Sequence, residues 1–149
     1  MQDHADDIPD GLRVVMDPDP SPDLRATLGR HINEFHARTV PFQSERFAFR
    51  LLDSAGELAG GVSGVMAWGW LFIDAVWIGD AWRGRGLGRA LMVRAEAHAA
   101  ARGCHAVWLD TFQARGFYEA LGYAVFGELE DYPPGQKRFF LRKRLVGVA

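Results

Sequence analysis

Three glycines and three arginines crowd the stretch Arg83-Gly84-Arg85-Gly86-Leu87-Gly88-Arg89, between the apolar run Leu71–Ile78 and a helical pattern that begins at Leu87. Glycines so spaced leave backbone N–H groups uncovered and permit the left-handed conformations that let a strand turn directly into a helix. A helix start has unpaired N–H donors and the positive end of the macrodipole, so such a corner can hold an anion, phosphate above all. Arg83, Arg85 and Arg89 add full positive charge at the same point. The plainer alternative is a glycine-rich turn opening an ordinary helix. Two familiar phosphate loops do not fit: the dinucleotide fingerprint needs glycine where Arg89 stands, and the nucleoside-triphosphate loop needs a Lys-Ser or Lys-Thr that does not follow.

The elements that must position this turn follow from periodicity. Residues 1–10 are polar and acidic and read as a disordered tail, which leaves 11–149 as a single domain. Leu12–Met16 reads as a short strand, broken by Asp17-Pro18-Asp19-Pro20. Ser21-Pro22 supplies an N-cap and a first-turn proline, and Leu24, Leu28, Ile32 and Phe35 follow at helical spacing to Arg38. Phe47–Leu52 reads as a strand with Glu57–Ala67 as its hairpin partner, and Leu71–Ile78 as a third strand after the turn Trp68-Gly69-Trp70. The helix from Leu87 stops at Gly103; then come a strand at His105–Leu109, a short helix at Ala114–Leu121, and two closing strands, Tyr123–Leu129 and Arg138–Leu145. Strand–helix–strand order across the arginine-glycine turn demands a parallel, right-handed crossover. The expected architecture is α/β (α+β), a mixed sheet.

Bulk properties exclude several classes. At 149 residues, 48% of them apolar, the chain can bury a core, and a net charge of −2 argues against general nucleic-acid binding. Acid collects at the N-terminus (Asp3, Asp6, Asp7, Asp10, Asp17, Asp19, Asp23) and base at the C-terminus (Lys137, Arg138, Arg142, Lys143, Arg144), which reads first as a solvated tail and a charge-protected sheet edge. The single cysteine, Cys104, forms no internal disulfide and reads as a buried apolar residue rather than a nucleophile. No apolar run is long enough to span a bilayer, and the N-terminus is acidic where a signal peptide is basic, so a soluble, cytoplasmic protein is expected. His31 and His36 lack metal-ligand spacing and no His/Cys cluster exists elsewhere, so no metal is expected.

Arg-x-x-Gly-x-Gly at Arg83, Gly86 and Gly88 resembles the pyrophosphate-binding turn of the GNAT superfamily of acetyl-CoA-dependent N-acetyltransferases. A second segment, Phe117-Tyr118-Glu119-Ala120-Leu121-Gly122-Tyr123, resembles that family's "FYEKLGF" motif and lies 34 residues after Arg83 with one helix and one strand between. Together they are far more specific than either alone, and the resemblance covers about residues 57–145. The run from Leu109 to Gly135 looks like a branch of small bacterial N-acetyltransferases related by sequence to histone acetyltransferases.

The resemblance implies a mostly antiparallel sheet with a central parallel pair that splays apart and helices on both faces. The pantetheine arm of acetyl-CoA would enter the wedge and pair with main chain at Val76 and Ile78, as an added strand does. Its pyrophosphate would rest on the turn formed by Arg83, Gly84, Arg85, Gly86, Leu87, Gly88 and Arg89. Many relatives carry an asparagine that bonds the pantetheine; Thr111 stands near that point here and reaches less far. Tyr118 matches the family's tyrosine acid, which protonates the departing thiolate; by itself it reads equally as a packed helix aromatic.

A lysine-like amine of pKa about 10.4 is roughly 4.6 kcal/mol short of its neutral, nucleophilic form at pH 7, so a base is useful. Strand alternation places Asp74 on the face of Val76 and Ile78, making it the candidate base, with a structural salt bridge the alternative. Glu128 and Asp131, with Glu130 and Tyr132, form an acidic–aromatic segment that could attract a cationic acceptor or be simply a solvated loop. Three functions follow: N-acetyltransferase acting on a small-molecule or peptide amine, a non-catalytic acyl-CoA sensor, or a nucleic-acid module using the basic C-terminal strand. The family also makes a homodimer an expectation.

Overall fold

The computed structural model describes residues 8–145, so Asp3, Asp6 and Asp7 of the acidic tail lie outside the described residues. The chain divides into two compact units between Phe42 and Gln43. The first contains helix α1 (Pro22–His36), begun as its Ser-Pro pair dictates: Ser21 Oγ accepts the Leu24 N–H at 3.3 Å and Pro22 occupies the first turn. The expected strand at Leu12–Met16 is not formed. A run that short becomes a strand only by pairing, and it joins no ladder among the described residues.

The second unit contains β1 (Ser44–Leu52), β2 (Leu58–Ala67), β3 (Trp70–Ile78), α2 (Leu87–Ala101), β4 (Ala106–Thr111), α3 (Arg115–Ala120), β5 (Ala124–Glu130) and β6 (Lys137–Arg144). Its six strands form one sheet in the order β1-β2-β3-β4-β6-β5. Every ladder is antiparallel except β3–β4, the parallel pair that the crossover through α2 requires. A single 3-10 turn, Asp80–Trp82, links β3 to the arginine-glycine corner.

One face of this sheet carries the core. Val62, Met66, Leu71, Ile73, Val107, Leu109 and Leu141 pack with Leu91, Met92, Ala95 and Ala99 of α2 and with Tyr118 of α3. Cys104 is buried in the same cluster, and burial, with Glu45 as a lesser cause, pushes its thiol above its ordinary value, as suits an inert packing residue. A charge pair between a half-buried lysine and a buried glutamate ties β6 to α2: Lys143 Nζ lies 2.5 Å from Glu96 Oε1.

Two irregularities shape the site. Parallel pairing of β3 with β4 ends at Phe72 and Trp108, while β3 stays paired to β2 as far as Ile78 and β4 to β6 as far as Thr111. The central strands therefore diverge and leave a gap. The second irregularity is a bulge: Ser63 faces Ala75 and Gly64 faces Ile73, so Asp74 is an extra residue in β3. Gly64 makes the local approach possible, since a Cβ there would lie 2.8 Å from both Phe72 O and Leu71 Cδ1.

Candidate active site

The bulge corrects one expectation. Alternation alone puts Asp74 on the face of Val76 and Ile78, but the extra residue reverses the phase. Val76 and Ile78 pack toward the core, whereas Asp74 meets Ser63, which alternates with the core residue Val62 and so points the other way. Ser63 Oγ donates to Asp74 Oδ1, and Arg46 Nη1 lies 3.1 Å from Asp74 Oδ2. Asp74 thus stands on the opposite face of the sheet from α2, held by a hydroxyl and a guanidinium. The salt bridge considered from sequence exists, and the carboxylate is still partly solvent-accessible.

On the core side a cavity of about 580 Å³ runs from the gap to the arginine-glycine corner. It is lined by Val76 and Ile78 of β3, by Arg83, Gly84, Gly86, Leu87, Gly88 and Arg89 of the corner, and by Trp82, Ala114, Phe117 and Tyr118. The backbone explains why glycine is needed at the corner. Gly84 and Gly86 have φ of +77° and +74°, in the left-handed region, and a Cβ on either would meet no atom of the described residues within 4 Å. The cradle is open space above bare backbone. Gly86 is also the N-cap of α2 and provides no side-chain cap, which leaves the first-turn N–H groups for an external anion. Gly88 serves differently: a Cβ there would sit 3.3 Å from Phe117 Cζ, so its smallness lets α3 close the cavity wall.

Most of the expected cofactor residues converge, and two stand apart. Arg85 does not line the cavity; its guanidinium lies 5.1 Å from the Trp82 ring centroid. Thr111 is also outside the lining, and its Oγ1 accepts the Ala114 N–H at 3.2 Å ahead of α3. Arg83 is partly committed to the fold, with Nε donating to Ile78 O at 3.1 Å and Nη1 lying 3.3 Å from Asp80. Glu128, Asp131 and Tyr132 do not line the cavity: Glu128 pairs with Lys137 at 3.3 Å, Asp131 Oδ1 accepts the Gly135 N–H, and Tyr132 lies against Arg138.

Tyr118 is buried and lines the cavity. Burial first, and the Asp110 carboxylate second, raise its phenol above the ordinary value of 10.0, so it stays protonated at any physiological pH. Asp110, at the diverging end of β4, was not legible as a site residue. It is held by Arg138 Nη1 at 2.8 Å, across the β4–β6 ladder. Trp82 and Phe117 also line the cavity, and in the sequence they show only as an aromatic immediately before the corner and another inside the second motif.

The Acetyltransferase (GNAT) family model matches residues 13–123. The chain belongs to the GNAT family of acetyltransferases. This GNAT protein is 40% identical over 137 residues to the blasticidin-S acetyltransferase of Streptomyces morookaense, covering 90% of this chain and 96% of that one. Among solved structures it is similar to an acetyltransferase from Bacillus cereus, with a TM-score of 0.75, 28% identity, and coverage of 88% of this chain and 98% of that one. An aminoglycoside 6′-N-acetyltransferase complexed with coenzyme A shares the fold at a TM-score of 0.62 and 20% identity, covering 83% of this chain and 87% of that one. Among the described residues, no group of three or more His, Cys, Asp or Glu could hold a metal ion, and no helix is long and apolar enough to cross a membrane.

Proposed function

We propose that this GNAT protein is an acetyl-CoA-dependent N-acetyltransferase that transfers the acetyl group directly to a primary amine of a small molecule or peptide. The observation that carries this reading is one cavity that joins an uncapped helix start, the stretch of β3 at Val76 and Ile78 that β4 no longer pairs, and the hydroxyl-bearing Tyr118. Gly84, Gly86, Gly88 and the α2 amides hold the diphosphate, with Arg83 and Arg89 adding charge. The main chain of β3 seats the acyl arm in the gap. The bound donor supplies an activated acetyl thioester.

Asp74 and Tyr118 then divide the proton work from opposite sides of the sheet. Asp74, on the open face, takes the proton from the incoming ammonium, directly or through water. The amine nitrogen forms its bond to the acetyl carbon as the carbon–sulfur bond breaks. Tyr118 donates its proton to the departing sulfur, the nitrogen sheds its second proton to solvent as the amide forms, and the phenolate is reprotonated from solvent. Its raised pKa is no obstacle, because the role requires the phenol to remain protonated until that moment. The kinship with a blasticidin-S acetyltransferase favours a small-molecule amine, such as an antibiotic, over a peptide.

The test is release of free thiol from acetyl-CoA against a panel of amines that includes blasticidin S, with the mass increase of one acetyl group confirmed on the acceptor. Turnover on at least one amine is expected. Tight acetyl-CoA binding with no acceptor turned over would favour the sensor instead.

A further inference from the structure

The sheet face opposite α2 holds a second cavity, of about 390 Å³, lined by Trp70, Trp108, Phe126, Phe140 and Arg142. It lies on the same face as Asp74. Trp108 stacks on Phe72 with ring centroids 4.2 Å apart and planes 25° from parallel, and Phe126 and Phe140 approach to 6.3 Å on the far side. A sheet face of this kind, with large rings half in solvent, exposes apolar area that a ligand can cover.

Its charge is equally specific. Arg138 is neutralised by Asp110, Lys137 by Glu128, and Lys143 reaches Glu96 on the core side. Arg142, by contrast, has no carboxylate partner among the described residues; its guanidinium lies over the Phe126 ring at 5.5 Å. The slot is therefore aromatic on its walls and cationic at its edge. A planar guanidinium resting on a ring can still turn its donors toward a carboxylate or carbonyl.

The slot also leads to the reaction. Phe72 and Trp108 are the last pair before the central strands diverge. Phe72 faces Val65 and Val76 faces Val62, three steps apart on the regular strand β2, so at about 3.3 Å per residue Val76 lies roughly 10 Å from Phe72, with the bulged Asp74 between them. A ring seated against Trp108 could thus place an amine on a short chain at the gap.

Resting on the acetyltransferase reading, we infer that this slot is the acceptor's recognition site and selects amines whose flexible arm also carries a planar ring and, beside it, a carboxylate. The ring stacks among Trp108, Phe126 and Phe140, the carboxylate meets Arg142, and the amine reaches the gap beside Asp74. The acetylated nitrogen is then set by arm length rather than by contacts to the amine itself.

The experiment compares kcat/KM for three amines: Nα-benzoyl-lysine (ring and carboxylate), Nα-benzoyl-lysine amide (ring alone) and Nα-acetyl-lysine amide (neither). The wild-type protein is expected to prefer the first at least tenfold over the third, with the second between. Arg142→Gln should abolish the preference for carboxylate over amide while keeping that for the ring. Trp108→Ala should bring the ring-bearing to ring-less ratio within twofold; Phe140→Leu gives a milder form of the same test should Trp108→Ala fail to fold. The acetyl-CoA dissociation constant serves as a control and is expected to stay within twofold in all three variants. Equal rates on the three amines, or a preference that survives both Arg142→Gln and Phe140→Leu, would overturn the slot alone. Absence of transfer to every amine tried, blasticidin S included, would overturn the acetyltransferase reading itself.

Discussion

Gly88 and Phe117 bring two helices together at the mouth of the core-side cavity: a Cβ on residue 88 would sit 3.3 Å from Phe117 Cζ. The start of α2 and the wall contributed by the segment before Tyr118 are in this way one construction, although 29 residues separate them in sequence (117 − 88). Gly88→Val would push the partly exposed Phe117 ring aside and add bulk in the first turn of the helix. Acetyl-CoA affinity is expected to fall at least tenfold, with the midpoint of thermal unfolding shifted by only a few degrees. Calorimetric titration together with a melting curve checks both halves of the statement.

Tyr118→Phe removes the hydroxyl without emptying the core. We expect kcat to drop roughly 10²–10⁴-fold, the usual range for a lost general acid, while the acetyl-CoA dissociation constant stays within about threefold. An unchanged kcat would assign the proton transfer elsewhere.

Asp110 acts on the same group through its charge. A carboxylate near a phenol disfavours phenolate and raises the pKa, so Asp110→Asn should lower the Tyr118 pKa. The alkaline limb of the pH–rate profile should then begin at lower pH than in the wild type, and Asp110→Glu should partly restore it. A limb that does not move in Asp110→Asn would separate Asp110 from Tyr118.

For Asp74 the prediction concerns the amine. With Asp74→Asn the enzyme must wait for free amine, so kcat/KM should fall at pH 7 and recover as pH climbs toward the acceptor's own pKa of about 10. Loss of rate by the same factor at every pH would make Asp74 a structural partner of Ser63 and Arg46.

Stability should fall in alkali for a definite reason. Burial raises Tyr123 well above the ordinary phenol value, with Glu96 and Tyr118 as lesser causes, and burial likewise raises Tyr118. Above the unfolded-state value near 10, the unfolded chain loses protons that the folded chain keeps. Stability is therefore fully present below pH 10 and declines above it, by about 1.4 kcal/mol per pH unit for each tyrosine still protonated in the fold. Among the described residues the buried Tyr123 hydroxyl has no hydrogen-bond partner. Tyr123→Phe should accordingly cost little at pH 7 and flatten the decline above pH 10, as read by chemical denaturation at pH 7, 9, 10.5 and 11.5.

The sheet and both of its helices are legible because they obey local rules: short apolar runs bounded by turn residues at β1, β4 and β6, a glycine at each end of α2, and a crossover that admits one handedness. The corner was legible for the same reason, since glycines at 84, 86 and 88 announce a backbone that must stay bare. What stayed hidden depends on partners distant in sequence. Asp74 reads as facing with Val76 and Ile78 until Gly64, on the neighbouring strand, permits the bulge that turns it around. The Asp110–Arg138 pair spans 28 residues and exists only because β6 aligns with β4. Leu12–Met16 failed in the opposite sense, as an apolar run without a ladder to join. Trp82 and Phe117 look like ordinary core aromatics until the corner brings them to one wall.

The most direct test of the account is calorimetric titration of acetyl-CoA into the wild-type protein, Gly86→Glu and Gly86→Asn. Asparagine tolerates the left-handed backbone at this position, so Gly86→Asn serves as a folding control. Glutamate adds bulk and negative charge to the proposed phosphate seat. The account predicts that Gly86→Glu weakens binding at least a hundredfold, while Gly86→Asn binds measurably and melts close to the wild type. Wild-type affinity in a folded Gly86→Glu would place the diphosphate elsewhere and contradict the central claim.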